Sequence, residues 1–272
     1  GLLLKSGYDA RVGFQDDRLV LLYNSQQQLF DLPYFDLDGK RYYVFAPSRQ
    51  VQKLTTYEGD YQGAEQNFAV APKRAPKPAD VSETRTLRFQ FDKRDYAIEV
   101  PVSPELVRYF DSIPQMAVAA YFHYQPRPQI QEALVGQLKE ATDGMPRDKQ
   151  VNLLLRFVQN AFEYETDQKQ FGQENYLFPE ETLFYPASDC EDRSVLFAFL
   201  VRQVLGLEVA VLDFPGHVAT AVDLPATEQG AHVQLDGRTL IVADPTYINA
   251  NAGMLMPDFR GEKPQIIPLE EG

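Results

Sequence analysis

The feature that most constrains the fold is a helix followed at once by a strand pair. From Val195 to Leu205 the residues are apolar on nearly every side, which predicts a helix enclosed by other elements. Gly206 ends this helix, and strands at 207–213 and 217–222 follow, separated by a Pro-Gly turn. The pattern therefore predicts a buried helix packed on an antiparallel sheet, an α+β arrangement.

The only cysteine in the chain, Cys190, lies in the first turn of this helix. Unpaired N–H groups and the positive end of the helix dipole stabilise a thiolate there and can hold an oxyanion. Such a nucleophile needs an imidazole beside it and an acid that orients the imidazole. His217 opens the second strand, and Asp244 closes a later strand at 238–244. These three residues are the candidate catalytic group.

The geometry of this group depends on the strand order. Asp244 lies beside His217 if strands 217–222 and 238–244 are direct neighbours. Residues 224–237 must then form an excursion, a stretch of chain that does not come between these two strands. A simple meander would place the two residues at opposite ends of the sheet. Taken singly, each residue also fits a structural role, because buried thiols are usually inert and Asp-Pro often ends a strand.

Three ordered motifs over roughly 145–250 resemble the bacterial transglutaminase-like superfamily. "SDCED", "GHVATAV" and "VADPT" match its cysteine at a helix N-terminus, its strand that opens with histidine, and its strand that ends in Asp-Pro-Thr. The resemblance implies a papain-like core with Cys190 as nucleophile, His217 as base and Asp244 as the residue that orients His217. For the oxyanion hole, Gln173 and Tyr185 are the candidate side chains.

The resemblance further implies acyl transfer on amide bonds through a thioester, with a protein or peptide substrate. Hydrolysis is expected rather than cross-linking, although an amine-accepting transglutaminase and a catalytically silent binding or scaffolding module stay open. This chemistry requires no cofactor, and we predict no metal ligand. Asp189, Glu191 and Asp192 fit the acidic first turn of a helix, but some exported peptidases of the superfamily bind calcium near such a run, so calcium is the alternative.

Charge and motifs exclude several other functions. A net charge of −13 argues against nucleic acid and anionic membrane partners, and no apolar run reaches the roughly 18 residues of a membrane span. The chain lacks a Gly-rich phosphate loop, a G-x-S-x-G elbow, an H-E-x-x-H motif and paired C-x-x-C motifs. A hydrolase that uses two carboxylates stays open. Because the sequence starts within an apparent element, we expect a removed leader and export to the periplasm or cell envelope.

The domain organisation follows from turn signals and prolines. Alternating apolar and polar residues with an Asp38-Gly39 turn predict a β-rich N-terminal unit at 1–70. The stretch "APKRAPKPAD" predicts a linker within 71–82, followed by a transglutaminase-like catalytic domain at 83–272. Within that domain the patterns predict two strands, "TRTLRFQF" and "RDYAIEVPV", and helices at about 129–141 and 147–162.

An internal similarity links the two parts of the chain. A shift of 198 residues lays "LDGKRYYVFAPS" (37–48) on "LDGRTLIVADPT" (235–246) and sets Leu19 opposite His217 and Ala46 opposite Asp244. The hypothesis is that residues 1–48 are the end of a second, degenerate transglutaminase-like copy without a base or an acid. The alternative is that two unrelated hairpins share an Asp-Gly turn.

Overall fold

The chain divides into two units, each with its own antiparallel sheet. The computed structural model describes residues 1–16, 18–45, 53–59, 61–74, 76, 83–224 and 230–269. Unit 1 comprises Gly1–Pro72 and Ser112–Ala120, and unit 2 comprises Lys73–Asp111 and Tyr121–Gly272. Ser112–Ala120, within the range 83–272 predicted for the second domain, thus groups with unit 1. Most of the predicted linker at 71–82 lies outside the described residues.

Unit 1 contains a short helix and a five-stranded sheet in its described residues. Helix α1 (Leu2–Lys5) is followed by β1 (Ala10–Gln15), β2 (Arg18–Asn24), β3 (Tyr34–Leu37), β4 (Lys40–Val44) and β5 (Thr55–Thr56). The strand order is β3-β4-β2-β1-β5, and all neighbours are antiparallel. The predicted turn at Asp38 and Gly39 joins β3 to β4, with φ values of 52° and 78°. Leu22, Tyr42 and Val44 form the buried centre of one sheet face.

The sheet of unit 2 follows the Cys190 helix. Its strands are β10 (Val209–Phe214), β11 (His217–Val222), β12 (His232–Leu235), β13 (Arg238–Ala243) and β14 (Gln265–Pro268). The order is β12-β13-β11-β10-β14, again antiparallel throughout. One sheet face packs into a core that includes Leu212, Phe214, Ala219 and Leu240. The structure is therefore α+β, as the sequence predicts.

The rest of unit 2 is a strand hairpin and a set of helices. The predicted strand pair is present as β6 (Glu83–Phe91) and β7 (Arg94–Val102), and β8 (Glu163–Tyr164) pairs with β9 (Ala187–Ser188). The helices are α2 (Pro104–Phe110), α3 (Pro128–Ile130), α4 (Gly136–Thr142), α5 (Arg147–Asn160), α6 (Asp167–Gln170), α7 (Pro179–Phe184) and α8 (Cys190–Leu200). One 3₁₀ helix, Val118–His123, begins in unit 1 and ends in unit 2, and another lies at Pro257–Phe259. There are π-helices at Gln131–Val135 and Val201–Leu205. No helix among the described residues is long and apolar enough to cross a membrane.

Helix α8 is the central element of unit 2. All its residues except Glu191 are buried, and α8 packs on β11 and against α5 and α7. It continues into the π-helix and ends at Gly206, whose φ of 65° is easily adopted by a residue without a Cβ. This agrees with the enclosed helix predicted from its apolar residues.

The two sheets share their strand order and their register. Gln15 pairs with Arg18 as Phe214 pairs with His217, an offset of 199 residues. The β3–β4 hairpin matches the β12–β13 hairpin at an offset of 198, since Tyr34↔Tyr43 corresponds to His232↔Ile241. These offsets also reproduce the pairing between the two halves, because Leu22↔Val44 corresponds to Ala221↔Val242.

The register corrects one detail of the sequence alignment. Arg18, not Leu19, occupies the position of His217, because the two copies differ by one residue between their second and third strands. Ala46, aligned with Asp244, lies outside the described residues. An ion pair is also repeated, since Lys40 binds Asp9 in unit 1 and Arg238 binds Glu208 at the matching positions of unit 2.

Candidate active site

Cys190 is the first residue of helix α8, and Asp189 is its N-cap. Asp192, three residues after the cap, accepts a hydrogen bond from the Asp189 N–H through Oδ2 at 3.4 Å. The hydroxyl of Ser188, the residue before the cap, accepts from Arg193 Nε at 3.2 Å. The thiol therefore projects from the first helical turn, where backbone N–H groups are unpaired.

His217 and Asp244 form a buried pair at the ends of neighbouring strands. His217 Nε2 and Asp244 Oδ2 are 2.9 Å apart, and the residues are 5% and 1% exposed. β11 and β13 pair directly, while β12 lies beyond β13, so the excursion that this contact requires is present. Asp244 Oδ1 accepts from the N–H groups of Thr246 and Tyr247 at 2.9 and 3.1 Å, which fixes the carboxylate.

The hydrogen bond with Asp244 uses one of the two nitrogens of the His217 imidazole. A carboxylate only accepts hydrogen bonds, so the contact with Asp244 assigns the proton of neutral His217 to Nε2. Nδ1 is then the basic nitrogen. This is the arrangement in which a histidine can remove a proton from a thiol.

Helix α8 is tied to the strand that carries His217. Ser194 Oγ donates to the Val218 carbonyl at 3.0 Å, one residue from His217. The backbone of Val218 also acts on Cys190, because its hydrogen bond favours the thiolate. The start of α8 and the start of β11 thus lie together, and the sequence-predicted Cys190 and His217 share this region of unit 2.

The surroundings of the thiol differ from those expected at an isolated helix N-terminus. Burial is the main cause that raises the pKa of Cys190 above its usual value, and the Glu191 carboxylate raises it further. Cys190 Sγ donates to Glu191 Oε2 at 2.8 Å. Burial and then Asp189 raise the pKa of Glu191 to about 7. Desolvation and nearby carboxylates thus favour the protonated thiol, whereas the helix dipole favours the thiolate.

An acidic cluster lies beside the thiol and includes one residue that sequence reasoning missed. The cluster consists of three buried residues, Asp167, Asp189 and Asp192. Each contributes one carboxylate oxygen, and these three oxygens lie within 4.8 Å of one another. Burial, followed by the charge of Asp189, raises the pKa of Asp167 to about 7. Asp189 Oδ1 has no hydrogen-bond partner among the described residues. Glu191, which the sequence grouped with these acids, contacts the thiol instead.

Two buried polar residues connect the helices to the site. Arg193, 0% exposed, donates to the carbonyl oxygens of Gln159 and Phe162 at 3.3 and 3.0 Å. Gln159 in turn donates through Nε2 to the carbonyls of Asp244 and Ala250 at 3.0 and 3.1 Å. Helix α5 therefore links the Cys190 helix to the loop after Asp244. No sequence pattern marked either residue.

The face of the His217 ring packs on Phe259 from the second 3₁₀ helix. Their ring centroids are 4.6 Å apart with an interplanar angle of 15°. Phe214, across the turn from His217, also contacts Phe259, with centroids 5.3 Å apart. The histidine is thus held by Asp244 at its edge and by an aromatic ring on its face.

The two oxyanion-hole candidates have different environments. Gln173 is exposed in the loop between α6 and α7. Tyr185 is half-buried and packs edge to face on Phe171 and Phe184. Burial, and then the charge of Asp111, raises the pKa of Tyr185 to about 12, so its hydroxyl stays a hydrogen-bond donor at neutral pH. Both roles stay predictions.

Comparisons with known proteins give weak structural similarity. No family model matches the chain. No curated protein matches it either. Calcium-bound LapG of Legionella pneumophila is 17% identical, with a TM-score of 0.33, over 54% of this chain and 77% of LapG. The EGTA-treated form, also 17% identical, gives 0.34 over 57% and 84%. Similarity at this level assigns neither a family nor an activity.

Proposed function

We propose that the chain is a cysteine-dependent enzyme with a transglutaminase-like core, which cleaves amide bonds of a protein or peptide through a thioester. The observation that carries the proposal is the buried hydrogen bond between His217 and Asp244 at 2.9 Å. Cys190 begins the helix that packs on the same strand as His217. A nucleophile, a base and an orienting acid then come from the start of α8, the start of β11 and the end of β13.

Each residue has one task in the proposed reaction. His217 Nδ1 takes the thiol proton as Cys190 Sγ attacks the amide carbonyl carbon, and N–H groups of the first helical turn stabilise the oxyanion. His217 then gives the proton to the leaving amine, which departs and leaves a thioester. Water, deprotonated by His217, attacks the thioester and releases the acid and the free thiol. Asp244 stays ionised and holds the imidazole orientation.

Alkylation by iodoacetamide tests this assignment without a known substrate. We expect fast carbamidomethylation of Cys190 near neutral pH and slower labelling, by at least tenfold, in His217→Ala. The matched control is His232→Ala, which removes an exposed histidine from β12. Equal labelling rates in the two variants would contradict a base role for His217. Mass spectrometry of the labelled peptide identifies the modified residue.

A catalytically silent binding module is the second candidate, and the Glu191 contact favours it. The thiol donates to a carboxylate at 2.8 Å, and burial raises its pKa, so this arrangement keeps the sulfur protonated. A silent thiol should label slowly in the native protein and at the same rate in His217→Ala. The alkylation rates therefore separate the two functions.

We also propose that the acidic cluster holds a calcium ion. Asp167, Asp189 and Asp192 supply hard oxygen ligands, and the unpartnered Asp189 Oδ1 is a buried oxygen that a cation would satisfy. A bound cation would balance the negative charge at the start of α8. We expect calcium to raise the melting temperature and EGTA to lower it, with both effects lost in Asp167→Asn. A melting temperature that calcium and EGTA leave unchanged would overturn this proposal.

For unit 1 we propose a second, degenerate copy of the same sheet, with a binding or packing role. The shared strand order, register and ion pair support duplication rather than two unrelated hairpins. Arg18 at the position of the base cannot accept a proton at neutral pH, so this copy has no catalysis of its own. A crystal structure in which backbone 10–24 fails to superpose on 209–223 would end the proposal.

A further inference from the structure

A cavity in unit 2 is lined by cations and carboxamides. Its volume is about 590 Å³, which lies within the range of roughly 300–1,000 Å³ that is usual for small-molecule pockets. The described residues that line it are Lys73, Arg74, His123, Gln125, Arg202 and Gln203. None of these six is a carboxylate, although the chain as a whole carries a net charge of −13. The described lining of the cavity thus carries net positive charge within an acidic protein.

Two chain segments that are distant in sequence are joined at one wall of this cavity. The Gln125 N–H donates to the Lys73 carbonyl at 3.0 Å, and Arg74 forms a strand-like bridge with Gln125. His123 ends the 3₁₀ helix two residues earlier. The backbone that carries Lys73 and Arg74 is therefore held by hydrogen bonds, although both side chains are exposed.

The other described lining residues, Arg202 and Gln203, come from the π-helix at Val201–Leu205. Its wider turn changes the direction of Arg202 and Gln203 relative to a regular α-helix, and such segments occur frequently at functional sites. Arg202 lies twelve residues after Cys190 on one continuous helical run, about 18 Å away at 1.5 Å per residue. The cavity is thus separate from the candidate active site.

We propose that this cavity binds a polyol that carries phosphate or sulfate groups. Lys73, Arg74 and Arg202 supply permanent positive charge, and guanidinium groups match the oxygens of such anions in pairs. At about 590 Å³ the cavity has room for more than a single oxyanion. The carboxamides of Gln125 and Gln203 both donate and accept, which suits the hydroxyl groups of a polyol.

Calorimetric titration of the full chain tests the proposal, with glucose 6-phosphate, glucose 6-sulfate and glucose as probes. At low salt we expect at least one of the two anions to bind with a submillimolar Kd and glucose to give no signal. The stronger of the two anions identifies the ester as phosphate or sulfate. Binding should weaken as salt rises, because salt screens the charges.

The double variant Arg74→Gln/Arg202→Gln should weaken anion binding at least tenfold, because it removes two charge-assisted contacts. Arg88→Gln, at an exposed site on β6, is the matched control for the loss of a positive charge. If the double variant does not fold, Lys73→Gln/Arg74→Gln changes only exposed side chains and should give the same loss. No binding of either anion at 5 mM probe, or equal affinity in the Arg88→Gln and cavity variants, would overturn the proposal.

Discussion

Phe259 lies flat against His217, with ring centroids 4.6 Å apart and planes inclined by 15°. The hydrogen bond to Asp244 fixes one edge of the imidazole but leaves rotation about that bond possible. The aromatic ring restricts that rotation, and stacked aromatic pairs contribute about 0.5–1.5 kcal/mol. The position of Nδ1 therefore depends on a residue that follows His217 by more than forty positions in the sequence.

We expect Phe259→Ala to slow the alkylation of Cys190 by up to about tenfold, the rate equivalent of one stacked pair. Phe259→Tyr keeps the ring and should retain the rate of the natural protein. The measurement is the initial rate of iodoacetamide labelling at fixed pH, with the melting temperature recorded for each variant. A slow Phe259→Tyr variant with an unchanged melting temperature would contradict the packing role of the ring.

Asp244→Asn should leave the fold intact but change the tautomer of the His217 imidazole. The amide can turn its NH₂ group toward His217, which favours the ring tautomer with the proton on Nδ1, so the base is lost. We expect the alkylation rate to fall by roughly a hundredfold or more. The ¹⁵N chemical shifts of the His217 ring report the tautomer directly.

The matched control for that variant is Asp236→Asn, in the turn between β12 and β13. It removes the same charge from the opposite end of β13. If His217 keeps its proton on Nε2 in Asp244→Asn, the orienting role assigned to Asp244 is wrong.

The secondary-structure elements that depend on local patterns could be predicted from the sequence. The apolar residues of α8, the left-handed Gly206 and the Asp38-Gly39 turn all have local physical causes, and the structure has these elements at the predicted positions. Helices predicted at 129–141 and 147–162 are present within a few residues of their predicted bounds. Local preference and tertiary structure agree at these sites.

Contacts between segments that are distant in the sequence could not be predicted from sequence patterns. Asp167, the first residue of α6, lies close to Asp189 and Asp192 although it precedes them by more than twenty residues, and no spacing rule predicts that contact. Phe259 on His217 and Gln159 on Asp244 are contacts of the same kind. The raised pKa of Cys190 also depends on burial, which a motif does not measure.

Arg193→Lys should destabilise unit 2 although it preserves the charge. The guanidinium donates to Ser188 Oγ and to the carbonyls of Gln159 and Phe162, and a lysine ammonium cannot reproduce this planar set of donors. At least one buried acceptor then loses its partner, which costs about 1–3 kcal/mol. Urea unfolding measures this loss, and Arg88→Lys on the surface is the control. Equal unfolding free energies for the two variants would show that the buried contacts add no stability.

Glu181 should make the stability depend on pH between about 4.5 and 8. Burial raises the pKa of Glu181 from 4.5 to about 8 in the folded chain, with smaller contributions from Asp111 and Glu180. Below pH 4.5 both the folded and the unfolded states carry the proton, so the shift has no effect on stability. As the pH rises to 8, the unfolded state loses this proton first, and stability falls by at most about 5 kcal/mol.

Glu181→Gln removes this titration while its side-chain oxygen can still accept from the Phe178 N–H, a contact of 2.9 Å in the natural chain. We therefore expect the variant to be more stable than the natural chain at pH 8 and similar to it at pH 4.5. Urea unfolding at both values measures the difference, with Glu132→Gln, an exposed site, as the control. The variant should gain little at pH 4.5, because there the folded state holds the proton and about half of the unfolded chains still do. A Glu181→Gln variant that gains no stability between pH 4.5 and 8 would show that this carboxyl group is ionised in the folded protein.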